Sequence, residues 1–354
     1  MDNPANLIPK ILFVIVVIII IIIVILSFLP VIRRGSTGTV EEKTGSSTLL
    51  KSEDGGLNWR PLDQFRGGEV VTLDFDAADS NFLIVGTKGR GVWRGTLNGE
   101  DWKQFPGGVG EGAEVFDVIN PASEKEFVAL VMFNKRGRII RIKEGERTEL
   151  FFTPLERYAF LKGYLTRSGI LRVIGSDGGF YESRNDGATW RSTSRFKSGL
   201  FLAAFDSFRE GVVWVADPKG NFYRSTDGGN SWANLTGGLR NFAGAMSPKF
   251  IYFDPLSGTL YHGSSYGLLR SSNGGASWSA FNLTAAPESI RVNTIAVNSA
   301  DSKKIYVAAQ NQMYLSEDGG VSWKTVQVGA AGEISNILIN PQNRQEIFIG
   351  FKNI

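Results

Sequence analysis

The stretch SEDGGLNW, Ser52 to Trp59, is too polar for a core strand and too rich in glycine for a helix. Near-copies recur as STDGGNSW ending at Trp232, SSNGGASW ending at Trp278 and SEDGGVSW ending at Trp323. Each is a turn by composition. The Ser and Asp side chains can hydrogen-bond nearby backbone, Gly permits positive φ, and the Trp supplies apolar area to pack beneath.

Aligning the tryptophans exposes a period. Trp59, Trp102, Trp190, Trp232, Trp278 and Trp323 are separated by 43, 88, 42, 46 and 45 residues. The gap of 88 is two periods, so one copy has lost its Trp, and Glu149 in IKEGERTE occupies the vacant position. A repeat of this length is that of a four-stranded propeller blade. Within each copy an alternating strand (VVTLDF) leads through a turn, often Asp-Pro or Asn-Pro, to a strand ending in a small residue (FLIVG). A third strand, the repeated turn and a fourth strand follow. The chain ends at EIFIGFKNI, after the second strand of a blade, and TLLKSEDGGLNW supplies the third and fourth. The two ends are therefore expected to complete one blade, closing a ring of seven without exposed sheet edges. The expected fold is an all-β, seven-bladed propeller over 48–354, a monomeric ring.

Composition limits the chemistry. Of 354 residues, 38 are Lys or Arg and 35 are Asp or Glu, a net charge of +3 that argues against a general nucleic-acid binder. There is no cysteine, which removes disulfides, thiolate metal sites and Cys nucleophiles. His262 is the only histidine, so a multi-histidine metal site is impossible, and no metal or cofactor is expected. The residue shares its strand column with Val85, Ile174, Val215, Val307 and Ile349, which makes it a core position.

The N-terminus reads differently from the rest. After a tail over 1–10, the run ILFVIVVIIIIIIVILSFLPVI over 11–32 would span about 33 Å as a helix, enough to cross a bilayer. It lacks a small-residue cleavage site, so it is expected to be an uncleaved transmembrane helix rather than a signal peptide. The segment 33–47 is Gly/Ser/Thr-rich and reads as a flexible tether with a reach of about 20 Å. Flanking cations, Lys10 on one side and Arg33 and Arg34 on the other, do not decide orientation.

The repeated turn resembles the Asp-box, or bacterial neuraminidase repeat. It is complete at Ser52/Asp54/Gly56/Trp59, Ser225/Asp227/Gly229/Trp232 and Ser316/Asp318/Gly320/Trp323. Ser183/Asn185/Gly187/Trp190 and Ser271/Asn273/Gly275/Trp278 carry Asn for Asp, and the copy at Trp102 keeps only Gly99 and Trp102. Asp-boxes occur in sialidases, sortilin-like receptors, xyloglucanases and the photosystem II assembly-factor family. The arginine motif of sialidases, the cysteine-rich modules of the receptors and the second propeller of xyloglucanases are all missing here. The single ring of about this length is most similar to the assembly-factor family. That resemblance implies a scaffold that holds another membrane protein, with the propeller outside the cytoplasm. The departures are the transmembrane run in place of a lipidated Cys and the lack of any sign of photosynthesis.

Placed one per blade around a rim, the box Asp residues cannot converge, so a structural role is expected and no catalytic residue is assigned. Glu156 and Asp177 read as solvated loop charges. Charge by loop class is more informative. The second-to-third strand loops carry Lys88, Arg90, Lys135, Arg136, Arg138, Lys219 and Lys352 against Asp177 and Asp217. The first-to-second loops, on the opposite face, carry nine carboxylates against six cations. The ring is expected to be electrically two-faced, with those seven cations as candidate partner-binding residues. The partner is expected to be another membrane or envelope protein or an anionic membrane surface. A glycan-binding or glycan-hydrolysing propeller is the alternative.

Overall fold

The computed structural model describes residues 47–120, 126–143, 146–154, 156–281, 283, 290–329 and 332–352. Among them are seven four-stranded antiparallel sheets. Blade 1 is built from Val70–Phe75, Phe82–Thr87, Val92–Thr96 and Lys103–Gln104. Blades 2 to 6 follow over 114–152, 160–195, 202–234, 248–280 and 292–327. Each is a meander running outward from its first strand. The first strands of successive blades lie beside one another in a closed cycle, so they form the inner wall of the ring.

Blade 7 is assembled from both ends of the chain. Glu333–Ile339 and Ile347–Lys352 supply its inner half, and Leu49–Ser52 and Arg60–Pro61 its outer half. Leu50 pairs with Ile349 on one side and Pro61 on the other. Lys51 is buried at this seam, its Nζ 2.9 Å from Glu53 and 3.1 Å from Glu346, with the Phe348 ring beneath it. The expected closure is thus present, with an ion cluster that the strand pattern alone did not announce.

The core is seven wedges rather than one mass, since each apolar cluster lies between neighbouring blades. This accounts for the second strands. FLIVGT and VWVA are buried on both faces and read as nearly continuous apolar runs instead of alternating ones. His262 is fully buried in this layer, and the ladder sets it level with Val85, Val215, Val307 and Ile349. In blade 3 the equivalent is Val173, one residue before Ile174, because Gly175 pairs with Phe160 ahead of the inner-strand bulge, the level that Thr87 rather than Gly86 takes in blade 1.

Among the described residues no helix is long and apolar enough to cross a membrane. The expected tail at 1–10, anchor at 11–32 and tether up to residue 46 lie outside the described residues, as do Glu124 and Lys125 of the acidic loops.

Candidate functional site

The repeated turns come first, because they decide which polar residues are free. Ser52 Oγ donates to Asp54 Oδ1 at 2.8 Å and accepts from Gly56 N at 2.8 Å, while Asp54 Oδ1 accepts from Asn58 N at 2.9 Å. Ser225, Asp227 and Gly229 repeat these bonds at 2.8 Å each, with Ser231 N on Asp227 Oδ1 at 2.9 Å. Ser316, Asp318 and Gly320 do the same. Asn185 and Asn273 serve equally, since the turn asks only for an acceptor oxygen, and each receives the N–H four residues on at 2.9 Å. Trp59, Trp190 and Trp232 donate Nε1 to the turn glycine's carbonyl, whereas Trp278 and Trp323 Nε1 make no such bond. The backbone of Asn58, with its side chain, holds Asp54 at about 2, and the Ser231 hydroxyl and backbone hold Asp227 at about 2. Carboxylates so occupied and so acidic are poor general acids or bases.

Each turn glycine also faces the preceding blade. A Cβ on Gly229 would lie 2.5 Å from Phe180, on Gly275 2.7 Å from Phe222, and on Gly320 1.9 Å from Phe281. The box is a key between blades, and among the described residues no group of three His, Cys, Asp or Glu side chains is arranged to hold a metal ion.

Chemistry gathers elsewhere, at the start of the inner strands. In six blades the inner ladder carries a bulge at the same place, the extra residue being Val71, Phe116, Leu161, Lys249, Asn293 or Ser335. A bulge re-aims the side chain it inserts, and all six line one cavity of about 440 Å³ together with Phe201 of blade 4. One residue per blade therefore rings the mouth of the central channel. Val71 and Phe201 stay 36% and 45% exposed, enough apolar surface to receive a partner.

Four cations stand in the same wall, namely Lys88, Lys162, Lys249 and Lys352. Lys88 pairs with Glu69 at 3.3 Å, and Lys162 reaches inward to the buried Asp117 at 2.7 Å. Lys249 and Lys352 make no ion pair among the described residues, although Glu333 stands opposite Lys352 in the ladder. Deeper in the inner strand, burial pushes the Asp74 carboxyl up to about 6, with Lys162 opposing and Asp117 adding to the rise. The mouth is thus cationic and apolar at its rim and acidic within.

Of the seven cations expected to bind a partner, Lys88 and Lys352 meet at this mouth. Lys135 and Lys219 are exposed on their loops. Arg90 donates to the Arg66 carbonyl at 2.9 Å. Arg136 spends its guanidinium on the carbonyls of Thr153 and Pro154, and Arg138 is held by Glu149. Lys162 and Lys249 were not among the seven. They belong to strands, and only the recurring bulge turns that part of each strand toward the opening.

A second concavity, of about 320 Å³, lies on the same face between blades 2 and 3. Its floor holds Asp177, which accepts from Gly179 N at 3.0 Å and Tyr181 Oη at 2.6 Å and pairs with Arg195 at 3.0 Å.

No family model matches the sequence, and no curated protein does. Solved structures do. YCF48 bound to D1 peptide superimposes with a TM-score of 0.64 at 12% identity, covering 81% of this chain and 93% of that one. YCF48 from Cyanidioschyzon merolae gives 0.64 at 14%, covering 81% and 97%. The GH74 xyloglucanase from Xanthomonas campestris gives 0.64 at 16%, covering 80% of this chain, which spans 51% of that enzyme's length. Identities this low speak to architecture alone, and the architecture is a seven-bladed β-propeller.

Proposed function

We propose that the chain is a non-enzymatic binding propeller, anchored in a membrane through 11–32, that holds an acidic segment of another membrane or envelope protein outside the cytoplasm. The observation carrying this reading is the channel mouth, where Lys249 and Lys352, without an ion pair among the described residues, stand beside the exposed Val71 and Phe201. Anionic lipid would also answer the charge, but a flat bilayer surface cannot enter a concave opening, whereas a chain segment can. The repeated turns support membership of the Asp-box propellers, and the superposition over 93% of YCF48 favours the assembly-factor type among them. That a propeller of this shape, YCF48, has been solved with a bound peptide supports the same reading.

The glycosidase alternative needs two carboxylates free to act on one bond. Asp177, the carboxylate in the aromatic concavity, already serves three donors. That weighs against a catalytic role for it.

The test is binding of a fluorescein-labelled ten-residue peptide of Asp, Glu and Ser to the full-length protein in detergent. Lys249→Glu with Lys352→Glu is expected to weaken binding at least tenfold, and 0.5 M salt to weaken it in the wild type. Equal binding by both proteins would sink the proposal.

A further inference from the structure

We infer that the concavity between blades 2 and 3 is an anchor pocket for an aromatic side chain of the same protein segment whose acidic groups occupy the channel mouth. This rests on the reading of the mouth given above and adds a second, chemically different subsite to it. The pocket is walled by Phe151, Tyr158, Phe160 and Tyr181. Phe151 and Phe160 meet edge to face at 5.7 Å, as do Phe160 and Tyr181 at 5.9 Å. Tyr158 remains 39% exposed at the rim. Rings so disposed offer both faces and edges, which suits another aromatic ring better than an aliphatic chain.

The polar side of the pocket is fixed. Asp177 receives Tyr181 Oη and Arg195, and Arg195 also donates to Tyr181 Oη at 3.1 Å. The Arg195 side chain is 57% exposed and its guanidinium carries five N–H donors, so it keeps some for an incoming carbonyl or carboxylate. The glycines beside it leave room for this arrangement. A Cβ on Gly179 would fall 2.3 Å from the Tyr181 ring, and one on Gly175 2.4 Å from Asp177 Oδ1.

Pocket and mouth share a wall. Phe160 lines the pocket, and its neighbours Leu161 and Lys162, on the same inner strand, line the mouth. Adjacent Cα atoms are about 3.8 Å apart, so an extended segment reaches both subsites within a few residues. Charge complementarity points to the occupant, since Arg195 and the mouth lysines all favour a segment that carries acidic residues around its ring.

The experiment uses the full-length protein in detergent and two fluorescein-labelled ten-residue acidic peptides, one with a central Phe and one with Ala in its place. The Phe peptide is expected to bind about tenfold or more tightly than the Ala peptide. Tyr158→Ala, an exposed rim substitution, is expected to shrink that preference while leaving the melting temperature unchanged. Equal affinity of the two peptides, with both still weakened by Lys249→Glu, would overturn the pocket and leave the mouth standing. Failure of both peptides to bind would overturn the mouth and the pocket together. Displacement of the Phe peptide by a xyloglucan oligosaccharide would assign the pocket to glycan and overturn the inference.

Discussion

Ser225 shows what the repeated turn requires of a single residue. Its hydroxyl is buried, accepts from Gly229 N and donates to Asp227, so no water can replace it. Ser225→Ala should cost about 1–3 kcal/mol in denaturant unfolding, the penalty for leaving a buried N–H unpaired. Gly320→Ala should cost about 2–4 kcal/mol, because φ is +86° and the new Cβ would meet Phe281 at 1.9 Å. The turn residues were legible from sequence, Asn for Asp included. That the same glycine seats the preceding blade was not, because no local pattern records what lies across an interface. His262 gives a separate handle. Burial lowers it to about 4, with only the Ala245 carbonyl, 2.9 Å from Nε2, opposing. The unfolded chain, with an ordinary pKa near 6.5, then takes up the proton first. Stability is therefore full above about pH 6.5 and falls as the pH drops toward 4, by about 3 kcal/mol in total. His262→Leu should remove that part of the pH dependence from a series of urea melts. An unchanged slope between pH 6.5 and 4 would show that the imidazole is not buried as described.

At the scale of elements, blade 2 is the instructive exception. Its third and fourth strands, Arg136–Lys143 and Glu146–Phe152, outrun their counterparts in every other described blade. The box turn is absent there, so the ladder continues toward the tip, and Glu149, in the place of the Trp, receives Arg138 and Arg147. Missing Trp and Glu149 were readable from the spacing, and the longer hairpin follows from them. The inner-strand bulges were not readable, since an inserted residue leaves the apolar alternation nearly intact. They nevertheless decide the site, because they place Lys249 at the mouth. The closing blade makes a sharper prediction. Lys51 is 2% exposed and compensates Glu53 and Glu346 across the seam between the chain's two ends. Lys51→Ala should destabilise the ring by about 1–3 kcal/mol, because the buried stem and its charge-assisted hydrogen bonds are lost while Glu53, 57% exposed, keeps its solvent. Thermal unfolding of the variant checks it, and a melting temperature equal to the wild type's would mean the seam does not depend on the cluster.

At the scale of the whole molecule, the ring and its closure were legible in the sequence. The place where cations gather around an opening was not. Arg136 and Arg138, prominent in the loop sequence, are committed to Thr153, Pro154 and Glu149. Lys249 and Lys352, which make no ion pair among the described residues, stand at the channel opening instead. The central claim, that this opening receives a segment of a partner protein, is tested most directly by a photo-crosslinking amino acid at Val71 in the full chain within the cells that make it. The account predicts one dominant protein adduct, mapped to an acidic stretch and lost with Lys249→Glu and Lys352→Glu. A crosslinker at the exposed Phe208, in the first-to-second loop of blade 4 on the opposite face, should not give that adduct. No protein adduct at Val71, or the same adduct from both positions, would contradict it.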